Sequence, residues 1–244
     1  ELGVARFRAP PGGVGAQRIL PLWRRPGVVV AAVAMLAAAL ALVAWVALMP
    51  RPGLDFAGRD WVVVGDFDNR TGQALLDESL DLAFRQGLSQ SRHVNVLSEP
   101  QVRDALERMQ LDPAATRIDR DVGAELALRE TARALLLPSV AARGGSLRLS
   151  VDVVDPQTRS TVWVSSATAR RTQDLLPAMD AVLDELRARL GESLRSIADY
   201  SVPLARATTA NLEALRIYAV GRQQFQDGRH DDARRLFERA LELD

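Results

Sequence analysis

Hydrophobic and polar positions divide the chain into stretches of three periods. Residues 27–49, GVVVAAVAMLAAALALVAWVALM, are uncharged throughout. As a helix this run spans about 34 Å, enough to cross a hydrocarbon core with some tilt. From residue 60 the pattern turns amphipathic. Trp61-Val62-Val63-Val64 is a continuous apolar run, as expected of a strand covered on both faces. Leu76, Leu80, Phe84 and Leu88 recur every fourth residue and share one helix face. A short strand is expected over 93–97. Val102, Leu106 and Met109 mark a second helix, opened by Ser98-Glu99-Pro100 with Ser98 as its cap. A third helix is expected over 119–130.

The period then drops to two. Leu135-Leu136-Leu137 begins a strand, and Pro138 predicts an edge position or a bulge. Leu147, Leu149, Val151 and Val153 alternate with Arg148, Ser150 and Asp152, the mark of a half-buried antiparallel strand. Gly144-Gly145 reads as the hairpin turn between these two strands. Asp155-Pro156-Gln157-Thr158 turns into a strand over 160–168 around Trp163. Leu176, Met179, Leu183, Leu186, Leu190, Leu194 and Ile197 step by threes and fours, predicting one long amphipathic helix. Two further helices, 211–226 and 230–243, are parted by Asp227-Gly228-Arg229. The resulting plan is a tail over 1–26, a transmembrane helix over 27–49 and a linker over 50–59. An α/β (α+β) domain with a mixed sheet follows over 60–200, then a linker over 201–209 and an all-α hairpin over 210–244.

Charge sets the orientation of the apolar run. Arg6, Arg8, Arg18, Arg24 and Arg25 precede it, whereas Arg51 and Arg59 follow it in company with Asp55 and Asp60. The Arg24-Arg25 pair abuts the run and predicts a cytoplasmic N-terminus, with the later domains outside the bacterial inner membrane, in the periplasm. The run starts well inside the chain and has no small-residue cleavage site before Pro50-Arg51-Pro52-Gly53, so it is not read as a secretory signal. The chain opens with Glu and stops at Leu243-Asp244 within a helical pattern, which reads as part of a longer polypeptide.

All 31 basic residues are Arg and the net charge is zero, so no overall field selects nucleic acid or anionic lipid. The absence of Cys excludes disulfides, thiolate nucleophiles and cysteine zinc sites in this chain. Asp66-Phe67-Asp68-Asn69 offers oxygen ligands but lacks calcium-loop spacing, with Arg70 in the fifth position; a capped turn is the better account. His93 and His230 stand alone, one at a strand and one at a helix. No Ser has nucleophile-elbow context. Catalytic, cofactor-binding and metal-ligating residues are therefore expected to be none.

Three resemblances follow from particular residues. Gly221, Gly228, Ala233, Phe237 and Ala240, followed by Leu241-Glu242-Leu243-Asp244, stand at the spacing of a tetratricopeptide repeat. Gln224 replaces the usual aromatic of the first helix, and Phe225 follows one step later. The plain alternative is an ordinary helical hairpin. Val62-Val63-Val64-Gly65-Asp66-Phe67-Asp68-Asn69, the stretches 122–126 and 134–140, and Leu147 through Pro156 to Trp163 resemble the N-terminal-domain-like fold of the translocation protein TolB.

Together with Glu1-Leu2-Gly3-Val4-Ala5, Ala9-Pro10-Pro11 and Arg18-Ile19, the order of segments resembles the C-terminal part of a bacterial family of peptide-modification-system cyclases. That resemblance implies a class III adenylate/guanylate cyclase-like domain upstream, in the cytoplasm, whose metal-binding Asp residues have no counterpart here. It also implies a sensor role, with a protein or peptide bound through the repeat region and the output placed in the cyclase-like domain. Ala34 with Ala38, and Ala37 with Ala41, permit close helix packing and predict a homodimer, although high Ala content also produces this spacing. Two rival readings remain. One is a membrane-tethered scaffold for envelope assembly; the other is the sensor half of a winged-helix regulator or a protein kinase.

Overall fold

The computed structural model describes residues 35–37, 39, 54, 56 and 58–244. The chain divides into two compact units, Glu1–Arg51 and Pro52–Asp244. In the first, residues 35–37 and 39 are helical. The rest of 27–49 lies outside the described residues, as do Ala34, Ala38 and Ala41. Among the described residues no helix is long and apolar enough to cross a membrane.

The second unit is an α+β fold on a six-stranded mixed sheet. Its strands are β1 (Asp60–Val64), β2 (Asp68–Arg70), β3 (Val94–Val96), β4 (Ala134–Arg143), β5 (Ser146–Val154) and β6 (Thr161–Ala169). They run in the order β3-β1-β4-β5-β6, with β2 pairing β4 beyond the end of β1. β1 lies parallel to β3 and β4, whereas β4, β5 and β6 pair antiparallel. The helices are α1 (Asp77–Leu88), α2 (Glu99–Arg108), α3 (Arg120–Arg129), α4 (Leu175–Arg189), α5 (Leu194–Tyr200), α6 (Leu204–Ala207), α7 (Leu212–Gln226) and α8 (His230–Leu241).

The apolar run of β1 is covered on both sides over Val62–Val64, as expected, whereas Trp61 at its start is exposed. Val62 and Val64 join a core with α1 and α4, while Val63 faces a second core with α2 and α3. Leu76, Leu80, Phe84 and Leu88 are all buried in the first core. Local signals recur as read. The Gln101 side chain accepts from the Ser98 N–H at 3.0 Å to open α2; at α3 the cap, which was not singled out from the sequence, is the Asp119 carboxylate, accepting from the Asp121 and Val122 N–H groups. Gly144 and Gly145 take φ of 56° and 78°, closing the two-residue turn between β4 and β5.

Pro138 departs from expectation: β4 is a central strand, not an edge. The Leu136 carbonyl accepts from the Gly65 N–H at 2.8 Å, so Leu136 and, two residues on, Pro138 turn their backbone polar groups toward β1. There β1 has ended and β2, which begins opposite Ser139, has not started. The missing N–H falls in that gap and costs no ladder bond.

The expected long helix over 176–197 is two. α4 ends at Arg189, Gly191 adopts φ +98°, and the Glu192 N–H donates back to the Arg187 carbonyl at 3.0 Å. α5 restarts with the Ser193 hydroxyl accepting from the Ser196 N–H. Leu194, which fits the helical period, is 75 % exposed.

The 201–209 stretch, expected as a linker, contains α6, and Leu204 is fully buried in the first core with Leu212 and Leu215 of α7. The helical pair is thus built onto the α/β core within one compact unit.

Candidate binding surface

α7 and α8 form an antiparallel pair whose interface holds most of the residues singled out from sequence. At Gly221 of α7 a Cβ would lie 2.7 Å from the Phe237 ring, so the absence of a side chain sets the closeness of the two helices. Ala233 and Ala240 are buried along the same seam. Tyr218 stacks on Phe237 at 5.4 Å between ring centroids. Gly228 stands apart from the seam and makes the turn, with φ of 78°. Phe225, one step from the place where the repeat carries an aromatic, rests against His230 at 4.9 Å and is exposed. The ends of the pair are tied together. Asn211 caps α7, its side-chain amide donates to the Leu243 carbonyl at 2.8 Å, and the Thr209 hydroxyl donates to Asp244 at 2.6 Å.

Two hollows border α7. One, of about 410 Å³, is mainly apolar and lies among α1, α6, α7 and α8, lined by Leu82, Ala214, Leu215, Tyr218, Phe237 and Leu241. The other, of about 660 Å³, opens at the carboxyl end of β1, a common place for ligands in α/β sheets. Its charges answer one another. Arg85 pairs with Asp81 at 2.9 Å and reaches the Val64 and Gly65 carbonyls, while Arg222 of α7 pairs with Glu99 at 3.4 Å. Asp66 accepts from the Ile118 N–H at 3.0 Å, and Asn69 donates to Asp77 at 2.8 Å. Asp66 and Phe67 connect β1 to β2, whereas Asp68 and Asn69, expected as part of a capped turn, belong to β2, and the Asn69 side chain accepts from the Thr71 N–H in the turn that follows it. Among the described residues no group of His, Asp or Glu is placed to hold a metal ion. The two histidines sit in different surroundings, His93 against Gly58 and Gly191 and His230 against Phe225.

One pair escaped the sequence reading. Arg187 and Glu192 make a two-pronged ion pair at 2.9 Å, with side chains 1 % and 2 % exposed. Ser91 and Ser196 donate to the same carboxylate at 2.6 and 2.9 Å, and Arg187 donates to Ser201 at 2.6 Å. Burial pushes the Glu192 carboxyl up, but the hydrogen bonds from Arg187, Ser91 and Ser196 outweigh it and hold the group down at about 2. The pair fastens α4 and α5 to the end of α1; it is structural. An acidic residue directly after the helix-ending Gly191 was the available signal.

No protein-family model matches the chain, and no curated protein does. Several solved structures do. The LpoB C-terminal domain from Escherichia coli is 18% identical, with a TM-score of 0.43 over 47% of this chain and 84% of that one. Lipoprotein GNA1162 from Neisseria meningitidis is 16% identical, with a TM-score of 0.38 over 55% of this chain and 99% of that one. A PelC dodecamer from Paraburkholderia phytofirmans is 15% identical, with a TM-score of 0.35 over 59% and 94%. These values assign no function.

Proposed function

We propose that Pro52–Asp244 is the extracytoplasmic, protein- or peptide-binding module of a single-pass inner-membrane signalling protein. Residues 27–49 are its membrane anchor, and the α7–α8 pair is one tetratricopeptide repeat. Binding biases a dimer that carries a cytoplasmic nucleotide cyclase-like domain. The observation that supports binding is the apolar hollow on the helical pair. Leu241 on its rim is 78 % exposed and Tyr218 is 45 % exposed, an arrangement suited to an apolar side chain of a partner. The cyclase link rests on the resemblance in segment order and on the polarity of charge around 27–49.

The test places a photo-cross-linking amino acid at Leu241 in the full-length protein in cells, with Leu128, an exposed position on α3, as comparison. A discrete adduct to another polypeptide from Leu241 and none from Leu128 is the expected result. Equal labelling from both sites sinks the binding role. Membranes are then assayed for cyclic nucleotide formation from ATP and GTP with Mg²⁺ or Mn²⁺. Activity that falls on deletion of 27–49 supports the signalling half. Folded but inactive protein leaves a tethered scaffold in its place.

A further inference from the structure

β6 is the outer strand of the antiparallel half of the sheet; its one irregularity is at its start, where Val162 is an extra residue between Thr161 and Trp163, and from Trp163 to Ala169 its ladder to β5 is regular. Over Thr161–Ala169 it carries no charge, no Pro and mostly β-branched or small residues, TVWVSSATA. The opposite edge, β3, is three residues long. One face of β6 packs on α4, with Ser165 and Ala169 buried there. Its other face, with Val164 and Thr168 exposed, has no helix over it among the described residues.

The charge at one end is one-sided. Arg143, Arg148 and Arg170 are exposed where the β4–β5 turn meets the end of β6, and none forms an ion pair among the described residues. Arg148 donates to the Ser166 hydroxyl at 2.7 Å. In residues 141–149 and 165–175 the single carboxylate is Asp174, and Arg171 holds it at 3.0 Å.

We propose that the outer edge of β6 takes up an extended segment of a partner protein as an added antiparallel strand, acidic at its N-terminal end. The backbone of β6 supplies the ladder, and Arg148 and Arg170 set direction and register. A second copy of this chain fits poorly. β6 itself carries no carboxylate, so a symmetric β6–β6 pairing brings no acidic strand end to Arg148 and Arg170.

The experiment uses the full chain in lipid nanodiscs and fluorescent eight-residue peptides read by anisotropy. The probes are Glu-Glu followed by alternating Val and Thr, the same peptide with Arg-Arg at the start, and the acidic peptide N-methylated at alternate residues. The acidic peptide is expected to bind at least about tenfold more tightly than either of the others. Arg148→Glu with Arg170→Glu reverses the preference between acidic and basic peptides. Val164→Lys weakens both, with an unchanged melting temperature as the check on folding. The proposal fails if folded protein shows no saturable binding of the acidic peptide. It fails equally if N-methylation leaves binding intact, or if the chain self-associates without peptide and Val164→Lys returns it to a monomer.

Discussion

At the scale of single residues, the Arg187–Glu192 pair stands out because two charges are taken from water and matched by five hydrogen bonds to side chains of the chain. Replacing both by apolar groups can be neutral, whereas removing one strands the other. Glu192→Gln is expected to cost about 3–5 kcal/mol at neutral pH, because Arg187 stays buried without its counter-charge. The pH dependence follows from the direction of the shift. The folded carboxyl titrates near 2 against an ordinary 4.5, so its stabilisation is complete above pH 4.5 and drains away as pH falls toward 2. That contribution is about 3 kcal/mol by the energy of a pKa unit. Urea midpoints measured from pH 7 to 2 should fall through this window in the wild type and flatten in Glu192→Gln. An identical pH slope in both proteins would remove the pair from the account.

At the scale of elements, the break between α4 and α5 is set by one glycine. Gly191 has φ +98°, and a Cβ there would lie 2.7 Å from His93 Nε2. Both the backbone hand and the lack of space exclude a side chain. Gly191→Ala is expected to destabilise the protein by about 1–3 kcal/mol and to loosen the loop before β3 where His93 sits. Thermal melts with hydrogen exchange around residues 92–96 read this. A melt equal to wild type would mean that the turn is not what ends α4. The elements with sealed local signals, the Ser98 and Asp119 caps and the Gly144-Gly145 turn, need no such neighbour.

At the scale of the molecule, the helical pair and the α/β domain share a core. Leu204, Leu212 and Leu215 pack in the same cluster as Leu80, Phe84 and Leu183. Leu204→Ala is expected to cost about 2–5 kcal/mol, as for a fully buried leucine. Calorimetry of Pro52–Asp244 should show one cooperative transition that this substitution moves as a whole. Two separable transitions would mean that the pair folds as an independent unit, as a boundary at 201–209 predicts. The same sharing bears on binding, because the apolar hollow borrows Leu82 from α1 of the α/β domain. A partner seated there touches both parts.

What the sequence determined by itself was local. The four-residue step of Leu76, Leu80, Phe84 and Leu88, the alternation in β5, and the small residues of the α7–α8 seam each follow from the periods of helix and strand, which act over a few residues. The mixed sheet was legible because apolar runs and alternating runs sit in different halves of the chain. Tertiary structure decided the rest. Pro138 occupies a central strand because β1 stops and β2 starts on either side of it. Leu194 keeps the helical period and yet faces solvent, because periodicity does not record a change of direction at Gly191. Residues 201–209 look like a linker until the packing of Leu204 is seen. Arg187 and Glu192 read as two surface charges until the end of α1 closes over them. In each case the cause lies in what another part of the chain does, and no local pattern carries that information.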